Sequence, residues 1–436
     1  MLCTALPMSA QVSGEEQSGQ TDPHYASVVV TTRDMEIGHL IGEDDLTTVK
    51  VWNGNIPENA VSDPAELVGR YAGMRLYGGE YVYLNQTAEE KLAKANPEVL
   101  VRPVAKVSTN FVVVTDFIRP NTGLEVEHYL QELVDLNPNR TIYFPKGEYV
   151  LGSSLDTSAA GSSSVSIVLD DGAVLKASDD WNAMGGLNAL VCLGGALHAN
   201  DVTSIGSYYS IRGGVLDCNN KTNGISVNSG RETVIRNICI KNAKTGIYVA
   251  SGANNKSSDC DFEDITIIGS GKVGTTGLNI VGYDNTFSNI RIYNMHTGVT
   301  GSGAGNFFKS ISVINTVVNR FYTGTKGLSI GGNNWFSDCY TENCQIGYTV
   351  GNDAHLWDST AVWTNDSCSI ATAITGGASS VIMGFRARFT DTEGASNVFM
   401  HAGKDTELFG VSYDPSQLSA QVSEEALTTP PVWAGE

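Results

Sequence analysis

Apolar and polar residues alternate along most of the chain after residue 140, and the alternation comes in repeats. One recurring segment is a glycine turn that enters a short strand, with copies at residues 223–227, 245–249, 276–280, 297–300, 326–330 and 346–350. A second recurring strand lies between these copies, at residues 235–242, 262–269, 287–294, 308–315 and 336–343, and weaker copies continue at 356, 382 and 408. Its first, fourth and sixth positions are almost all apolar, which predicts that these side chains point inward and that positions three, five and seven point outward.

The repeats predict a solenoid built from strands. A unit of about 20 to 30 residues with two or three short strands is typical of a parallel β-helix, in which each coil pairs only with its neighbours. The eighth position holds Asn242, Asn294, Asn315 and Asn343, and stacked asparagines can satisfy one another and the turn backbone. A β-sandwich is the alternative, but it needs hairpin turns of alternating type, whereas these repeats show one glycine turn. We therefore predict an all-β fold, a right-handed parallel β-helix.

The remaining segments predict three additions to the β-helix. Residues 1–27 are rich in Ser, Gly, Gln and Glu and are expected to be a flexible arm. Residues 28–110 are expected to form a small mixed α/β domain, with a helical stretch at 87–95. The β-helix is expected over 111–414, entered through a capping helix near 122–136 that begins with the capping box Thr122 to Glu125. Residues 415–436 are expected to be a C-terminal tail.

Composition narrows the classes of partner. The chain has 436 residues with 47 acidic and 27 basic side chains, a formal net charge of −20, and this acidity argues against nucleic acid as a partner. No apolar run approaches the roughly 20 residues that span a bilayer, and residues 1–10 lack the pattern of a secretion signal. The 8 cysteines form no CxxC and the histidines never pair at ligand spacing. We expect no membrane insertion, no metal site, no disulfide framework and no cofactor.

Three segments resemble the first coils of the pectin-lyase-like superfamily of right-handed parallel β-helices. They are residues 141–153, 165–180 and 211–217, and the resemblance extends over roughly 110–414. Within that superfamily the chain looks most like glycoside hydrolases and phage tailspikes. The Asn-Thr-Asp, Gly-Asp-Asp and His-Gly motifs of polygalacturonases are missing, and no calcium-binding acidic cluster of a pectate lyase is evident. The resemblance implies a polysaccharide or cell-surface glycan as partner.

Two functions from different classes fit this resemblance. The first is a phage tailspike or tail-fibre protein of the virion tail, which docks to other virion proteins through its N-terminal region and binds, and depolymerises, a surface polysaccharide. The second is a free extracellular microbial carbohydrate-active enzyme. A glycoside hydrolase is the first choice within this class, and a polysaccharide lyase is the second. The missing secretion signal and the unpaired cysteines favour the first, because virion proteins assemble in the cytoplasm.

Three outward carboxylates are the candidate catalytic residues. Asp338 and Asp358 share position three on successive coils, about 5 Å apart, a separation that suits a retaining glycosidase and would raise the pKa of one of them. The alternative is that position three favours a bend, since it also holds Asn237, Asp264, Asn289 and Ser310. Glu342 lies roughly 13 Å from Asp338 by strand rise, and its column is otherwise mostly apolar.

Aromatic and cationic side chains on or beside this face are the candidate substrate-binding residues. Aromatic rings stack on sugar rings, and arginines bind acidic or hydroxylated groups. The candidates are Tyr340, Tyr293, Trp357, Trp363, Arg291, Arg386 and Arg388. For Trp363 the alternative is that it replaces the corner asparagine and packs inward.

An apolar stripe at position seven predicts self-association. Ile268, Tyr293, Ile314 and Val362 are expected to point outward on coils whose other outward positions are polar. Exposed apolar stripes usually mark contact surfaces, and isoleucine and valine suit a dry protein interface. The chain is therefore expected to form a closed homo-oligomer, a homotrimer with the β-helices side by side.

Overall fold

The computed structural model describes most of the chain, and the chain divides into two compact units. The described residues are 25–35, 39–52, 60–72, 76–88, 98–157, 165–183, 188–194, 209–228, 232–250, 258–316, 324–364, 370–389, 396–401, 405–418, 420–422 and 432–434. The units divide between Ala93 and Lys94. The expected arm lies outside the described residues as far as residue 24.

The first unit is a small structure of antiparallel strands and 3-10 turns. Tyr25–Thr31 pairs with Leu46–Trp52, and Tyr71–Ala72 pairs with Thr87–Ala88. The 3-10 turns are Glu43–Asp45, Pro64–Glu66 and Leu84–Gln86. The helix predicted for 87–95 does not begin at Thr87, because Thr87 and Ala88 belong to a strand; residues 89–95 lie outside the described residues.

One buried carboxylate joins three segments of this unit. The Asp45 side chain accepts hydrogen bonds from Arg33 Nε at 2.7 Å and from the Gly42 N–H at 2.9 Å, and its Oδ2 lies 2.7 Å from His39 Nε2. Burial opposes the charged form, but these hydrogen bonds outweigh it and lower the pKa of Asp45 from 3.8 to about 2. Asp45 is therefore ionised, and its hydrogen bonds hold the segments around Arg33, His39 and Gly42 together.

The second unit is a right-handed parallel β-helix, as predicted, with three strand-bearing faces. The first face consists of Phe111–Val113, Thr141–Phe144, Ser166–Leu169, Ser210–Arg212, Val234–Arg236, Trp335–Ser337, His355–Trp357, Val381–Met383, Glu407–Phe409 and Val432–Ala434. The second face consists of Gly147–Leu151, Ala173–Ala177, Val215–Asp217, Cys239–Lys241, Tyr340–Glu342, Thr360–Val362 and Arg386–Arg388. Three long strands, Asp261–Ile268, Thr286–Tyr293 and Phe307–Ile314, run through both faces. The third face consists of Leu155–Asp156, Ala189–Leu193, Asn223–Val227, Thr245–Val249, Thr276–Ile280, Thr297–Gly301, Lys326–Ile330, Ile346–Val350, Ile370–Gly376, Ser396–His401 and Ala420–Val422.

The register of the coils matches the sequence alignment of the repeats. Phe262, Phe287, Phe308 and Phe336 pair in that order on parallel strands. Their rings stack inside the helix with centroids 4.5, 4.8 and 5.0 Å apart. Burial of one aromatic ring per coil supplies a large apolar area and fixes the register of each coil on the next.

A row of buried asparagines lines the turn between the third and first faces. Asn306 Oδ1 accepts a hydrogen bond from Asn285 Nδ2 at 3.1 Å, and Asn306 Nδ2 donates to Asn334 Oδ1 at 3.1 Å. All three side chains are fully buried. The asparagines at position eight bind one another and the turn backbone, as predicted. Asn294 and Asn343 each accept a hydrogen bond from a backbone N–H of the next coil at 2.9 Å, and Asn343 Nδ2 donates to the Asn315 carbonyl at 3.3 Å.

The capping helix is Glu127–Leu136, and it begins later than the capping box predicts. Glu125 forms a parallel bridge with Val150, and the Val126 N–H donates to the Val150 carbonyl at 2.8 Å. Pairing with the second-face strand therefore keeps Glu125 out of the helix, and Val126 becomes the residue that precedes its first turn. The helix buries the apolar residues Tyr129, Leu130, Leu133 and Val134 in the core cluster of the β-helix.

The β-helix unit extends past both expected boundaries. Residues 98–110 belong with it, because Val99 and Leu100 join its core and the Val101 N–H donates to the Phe117 carbonyl at 2.7 Å. At the other end, Ala420–Val422 and Val432–Ala434 pair in parallel with β-helix strands. Part of the expected tail therefore continues the coils.

Candidate functional site

The second face brings position-five and position-seven side chains of successive coils into adjacent rows. Tyr340 pairs with Ser312 on one side and Thr360 on the other. Glu342 pairs with Ile314 and Val362 in the same way. Both side chains point away from the core and are half-buried. They form the centre of the candidate site.

Tyr340 and Glu342 are joined by a hydrogen bond. The Tyr340 hydroxyl donates to Glu342 Oε2 at 2.8 Å. Burial raises the pKa of Tyr340 to about 12, with the hydrogen bond to Glu342 and its negative charge adding to the effect and the Arg388 charge opposing it. The hydroxyl therefore keeps its proton at neutral pH and acts as the donor.

A second hydroxyl approaches the other carboxylate oxygen of Glu342. Thr364 Oγ1 lies 3.4 Å from Glu342 Oε1. The same hydroxyl oxygen accepts a hydrogen bond from Asn343 Nδ2 at 3.0 Å, and the acceptors for its own proton are Glu342 Oε1 and Asn343 Oδ1, each 3.4 Å away. The two oxygens of Glu342 therefore face two hydroxyl groups, and the side chain is held against the strand by its neighbours.

Arginines lie on either side of this pair along the second face. Arg291 occupies position five two coils before Tyr340, and Arg386 occupies it two coils after, each about 10 Å away by strand spacing. Arg388 pairs with Val362, the neighbour of Glu342. All three arginines are exposed. This stretch of an acidic protein is therefore locally rich in positive charge.

Tyr293 also lies in this stretch, in the position-seven row two coils before Glu342. It pairs with Ile268 and Ile314 and is half-buried. Among the expected substrate-binding residues, the structure thus brings Tyr340, Tyr293 and the three arginines to one face.

Asp338 and Asp358 are the residues at which the strand bends between the first and second faces. Their φ angles are 55° and 46°, in the left-handed region that asparagine, aspartate and glycine tolerate best. The same column has positive φ throughout, at Asn237, Asp264, Asn289, Ser310 and Gly384. Backbone geometry alone therefore accounts for an aspartate at either position, as the bend alternative predicts.

The bend divides the predicted site residues between two faces. Trp357 lies on the first face, before the bend, with 36% of its surface exposed. Tyr340 and Glu342 lie on the second face, after it. Asp338 and Asp358 stand between the faces, and both are exposed. Ser337 Oγ donates to Asp338 Oδ2 at 3.1 Å.

Trp363 does not belong to the outward surface, and its expected substrate-binding role is wrong. The side chain is buried, with 5% exposed, because it turns inward at the corner. Its Nε1 donates to the Cys344 carbonyl at 2.7 Å, and its ring stacks on Phe389 with centroids 4.7 Å apart. Trp363 therefore packs in the core, as the alternative reading of its position predicts.

A row of outward aromatic rings on the first face escaped the sequence analysis. Phe307, Trp335 and His355 pair in register, with ring centroids 4.7 and 5.6 Å apart and nearly parallel planes. Each residue directly precedes an inward apolar residue of the repeat. The alignment of eight positions began one residue too late to include them, although the recurring aromatic was visible in the sequence.

Within the described ranges, no group of three His, Cys, Asp or Glu side chains could hold a metal ion. No described helix is long and apolar enough to cross a membrane. Burial raises the pKa of the Cys339 thiol to about 12 and that of Cys260 to about 12, so these buried cysteines are inert packing residues.

Comparisons with known proteins agree with the fold. Residues 26–86 match the SAF domain family. The structure is similar to an endo-xylogalacturonan hydrolase from Aspergillus tubingensis, with TM-score 0.53, 14% identity, and 74% of this chain and 98% of that chain covered. It is also similar to a mutant tailspike protein of E. coli bacteriophage HK620 in complex with a pentasaccharide, with TM-score 0.54 and 13% identity. That match covers 72% of this chain and 65% of the tailspike chain. No curated protein matches the chain in sequence.

These likenesses confirm the predicted resemblance at the level of fold. Both similar structures are parallel β-helix proteins. Because their sequence identities to this chain are only 14% and 13%, the similarity shows a shared architecture alone. The activity, the substrate and the partners of this chain must therefore be argued from the residues on its own surface.

Proposed function

We propose that the protein binds a cell-surface polysaccharide along the outward surface of its β-helix and depolymerises it, as a tailspike-like protein of a virion tail. The observation that carries the proposal is the hydrogen-bonded Tyr340–Glu342 pair between exposed arginines on the second face. A tailspike with a bound pentasaccharide and a glycan hydrolase are among the proteins of similar fold, which supports a glycan as substrate.

We assign proton transfer during bond cleavage to Glu342. Among the candidates Asp338, Glu342 and Asp358, it is the one whose position the backbone geometry does not explain. Tyr340 positions the carboxylate through its 2.8 Å hydrogen bond. Arg386 and Arg388 would bind acidic or hydroxylated substituents of the glycan, and Arg291 and Tyr293 would extend the contact to earlier coils.

The test is incubation of the purified protein with bacterial surface and plant polysaccharides, followed by mass spectrometry of the products. Shorter oligosaccharides are expected from the wild type and not from Glu342→Gln. Asp338→Asn and Asp358→Asn test the alternative catalytic pair at the bend, because asparagine tolerates the same backbone conformation. Cleavage that survives in Glu342→Gln but fails in both aspartate variants would show that Asp338 and Asp358, not Glu342, are the catalytic residues.

A free carbohydrate-active enzyme is the second candidate, and one observation favours it. The alignment with the fungal hydrolase covers 98% of that chain, so the β-helix here is large enough for a complete enzyme of this type. Product chemistry separates the reaction types, since a 4,5-unsaturated end indicates a lyase and a plain reducing end indicates a hydrolase. Co-purification with virions separates the tail protein from the free enzyme.

The proposal includes a homotrimer and docking of the N-terminal unit to other virion proteins. Ile268, Ile314 and Val362 of the position-seven stripe are half-buried and outward, and Glu342 interrupts the stripe. Light scattering coupled to size exclusion tests the trimer against the 46.4 kDa of one chain.

A further inference from the structure

The first face carries an exposed apolar surface on four successive coils. Its members are Phe307, Trp335, His355, Trp357 and Met383, which we call the aromatic strip. Exposed fractions are 49% for Phe307, 36% for Trp357 and 44% for Met383. The register places Trp357 beside Met383 and places His355 beside Trp335. The strip is therefore one continuous surface.

The rings of the strip present two kinds of surface to solvent. Phe307, Trp335 and His355 stack on one another with interplanar angles of 11° and 5°, so the faces of Trp335 are covered and its edge points outward. Trp357 lies 5.7 Å from His355 with its plane turned by 60°. Trp357 is thus turned out of the stack, and 36% of its surface is exposed to solvent.

Carboxylates border the strip along the bend. Asp338 follows Ser337 and Asp358 follows Trp357, on adjacent coils, and both side chains are exposed. In the part of the chain that the structure describes, neither aspartate forms a salt bridge. Ionised carboxylates offer only acceptors, so an apolar surface beside them suits a ligand with an apolar face and a rim of hydroxyl donors.

A pyranose ring has this combination of surfaces. Its axial C–H groups form an apolar patch that packs on an aromatic face, and its hydroxyl groups donate hydrogen bonds at the rim. A second copy of this chain suits the strip less well. Contact between copies would bury Asp338 and Asp358 against another chain of net charge −20, and unpaired charges are costly to desolvate.

We propose that the aromatic strip is a saccharide-binding surface, on which Trp357 stacks against a pyranose ring while Asp338 and Asp358 accept hydrogen bonds from its hydroxyl groups. The inference rests on the proposed function, because the same glycan would cross the bend to the second face. Trp357 precedes Thr360, the neighbour of Tyr340, by three residues, a distance of at most about 10 Å along the strand. One glycan chain can therefore contact the strip and Glu342 together.

The experiment is affinity electrophoresis of the full chain in gels that contain homogalacturonan, xylogalacturonan, alginate, dextran or E. coli O-antigen polysaccharide. The variants are Trp357→Ala and Phe307→Ala. Phe111→Ala is the matched control, because Phe111 is also a first-face aromatic with 48% of its surface exposed but lies far from the strip along the coils. Glu342→Gln reports on cleavage separately.

The expected result is retardation of the wild type by at least one glycan, at least ten-fold weaker binding by Trp357→Ala, and unchanged binding by Phe111→Ala. Wild-type binding by both strip variants would overturn the strip while leaving the proposed function in place. If the wild type binds none of these glycans, both the proposed function toward these glycans and the saccharide-binding role of the strip are refuted. A fall in assembly mass of the strip variants in light scattering would identify the strip as a protein interface instead.

Discussion

The buried asparagine row offers a direct test of how the coils are held together. Asn306 lies at its centre, and its side chain is completely buried. Its Oδ1 accepts hydrogen bonds from the backbone N–H of Asn285 at 3.0 Å and from Asn285 Nδ2 at 3.1 Å. Its Nδ2 donates to the Gly282 carbonyl at 3.2 Å and to Asn334 Oδ1 at 3.1 Å. The substitution Asn306→Ala removes all four bonds at once.

The size of the effect follows from what the substitution leaves behind. A hydrogen bond contributes about 1 kcal/mol net, but a buried polar group that loses its partner costs about 1–3 kcal/mol. Asn306→Ala removes an acceptor from the buried Asn285 backbone N–H and a donor from the Gly282 carbonyl. We expect a loss of about 4 kcal/mol in the free energy of unfolding.

Denaturant titration followed by tryptophan fluorescence measures this loss. Lys309→Ala is the matched control, because Lys309 lies three residues further along the same coil with an exposed side chain, and its effect is expected within about 0.5 kcal/mol. A shift of the Asn306→Ala midpoint no larger than that of Lys309→Ala would refute the reasoning. It would mean that the row is a consequence of coil stacking and not one of its causes.

The other predictions concern the site, the capping helix and assembly. Glu342→Gln is expected to slow glycan cleavage by at least about 100-fold in a reducing-end assay, the low end for loss of an acid or base, whereas Phe111→Ala, an exposed first-face residue far from the site, keeps its activity. Burial lowers the pKa of His128 from 6.5 to about 4, so the unfolded chain is protonated first as the pH falls. The free energy of unfolding then drops between pH 6.5 and 4 by at most about 3 kcal/mol, and His128→Gln should show a flatter pH dependence; equal slopes would contradict this. Ile314→Glu is expected to reduce a trimer to the 46.4 kDa monomer in light scattering, and a monomeric wild type would contradict the assembly.

The coils were predictable because their physics repeats. Phe262, Phe287, Phe308 and Phe336 occupy one position of the alignment and one stack in the structure. A single misplaced coil would have moved inward residues to solvent, so the apolar pattern determines the register. The start of the capping helix was not predictable in this way. Glu125 belongs to a capping-box pattern that is local, whereas its pairing with Val150 is a contact between distant segments.

The site was less predictable, because outward residues are not constrained by the core. The sequence placed Tyr340 and Glu342 two residues apart on one strand, and alternation implied a shared face, but the hydrogen bond between them depends on side-chain conformations. Trp363 was ambiguous for the same reason: only the corner geometry decides that its ring turns inward onto Phe389. The first-face ring of Trp335 was missed because the repeat was counted from the inward residue that follows it.

Position three shows how backbone geometry should be weighed before chemistry is assigned to a carboxylate. Every coil from Asn237 to Gly384 turns there with positive φ, and few residue types accept that conformation. Two stacked aspartates in this column therefore carry little information about catalysis, however well their spacing suits a glycosidase. From Lys241 to Arg388, the other residues of the Glu342 column are isoleucine, tyrosine, valine and basic residues, and Asp217 lies in the column one coil before Lys241. The extended strand would accept almost any side chain there. A carboxylate that the backbone does not require, held by a tyrosine hydroxyl and with arginines two coils away on either side, is the stronger indication of chemistry on this surface.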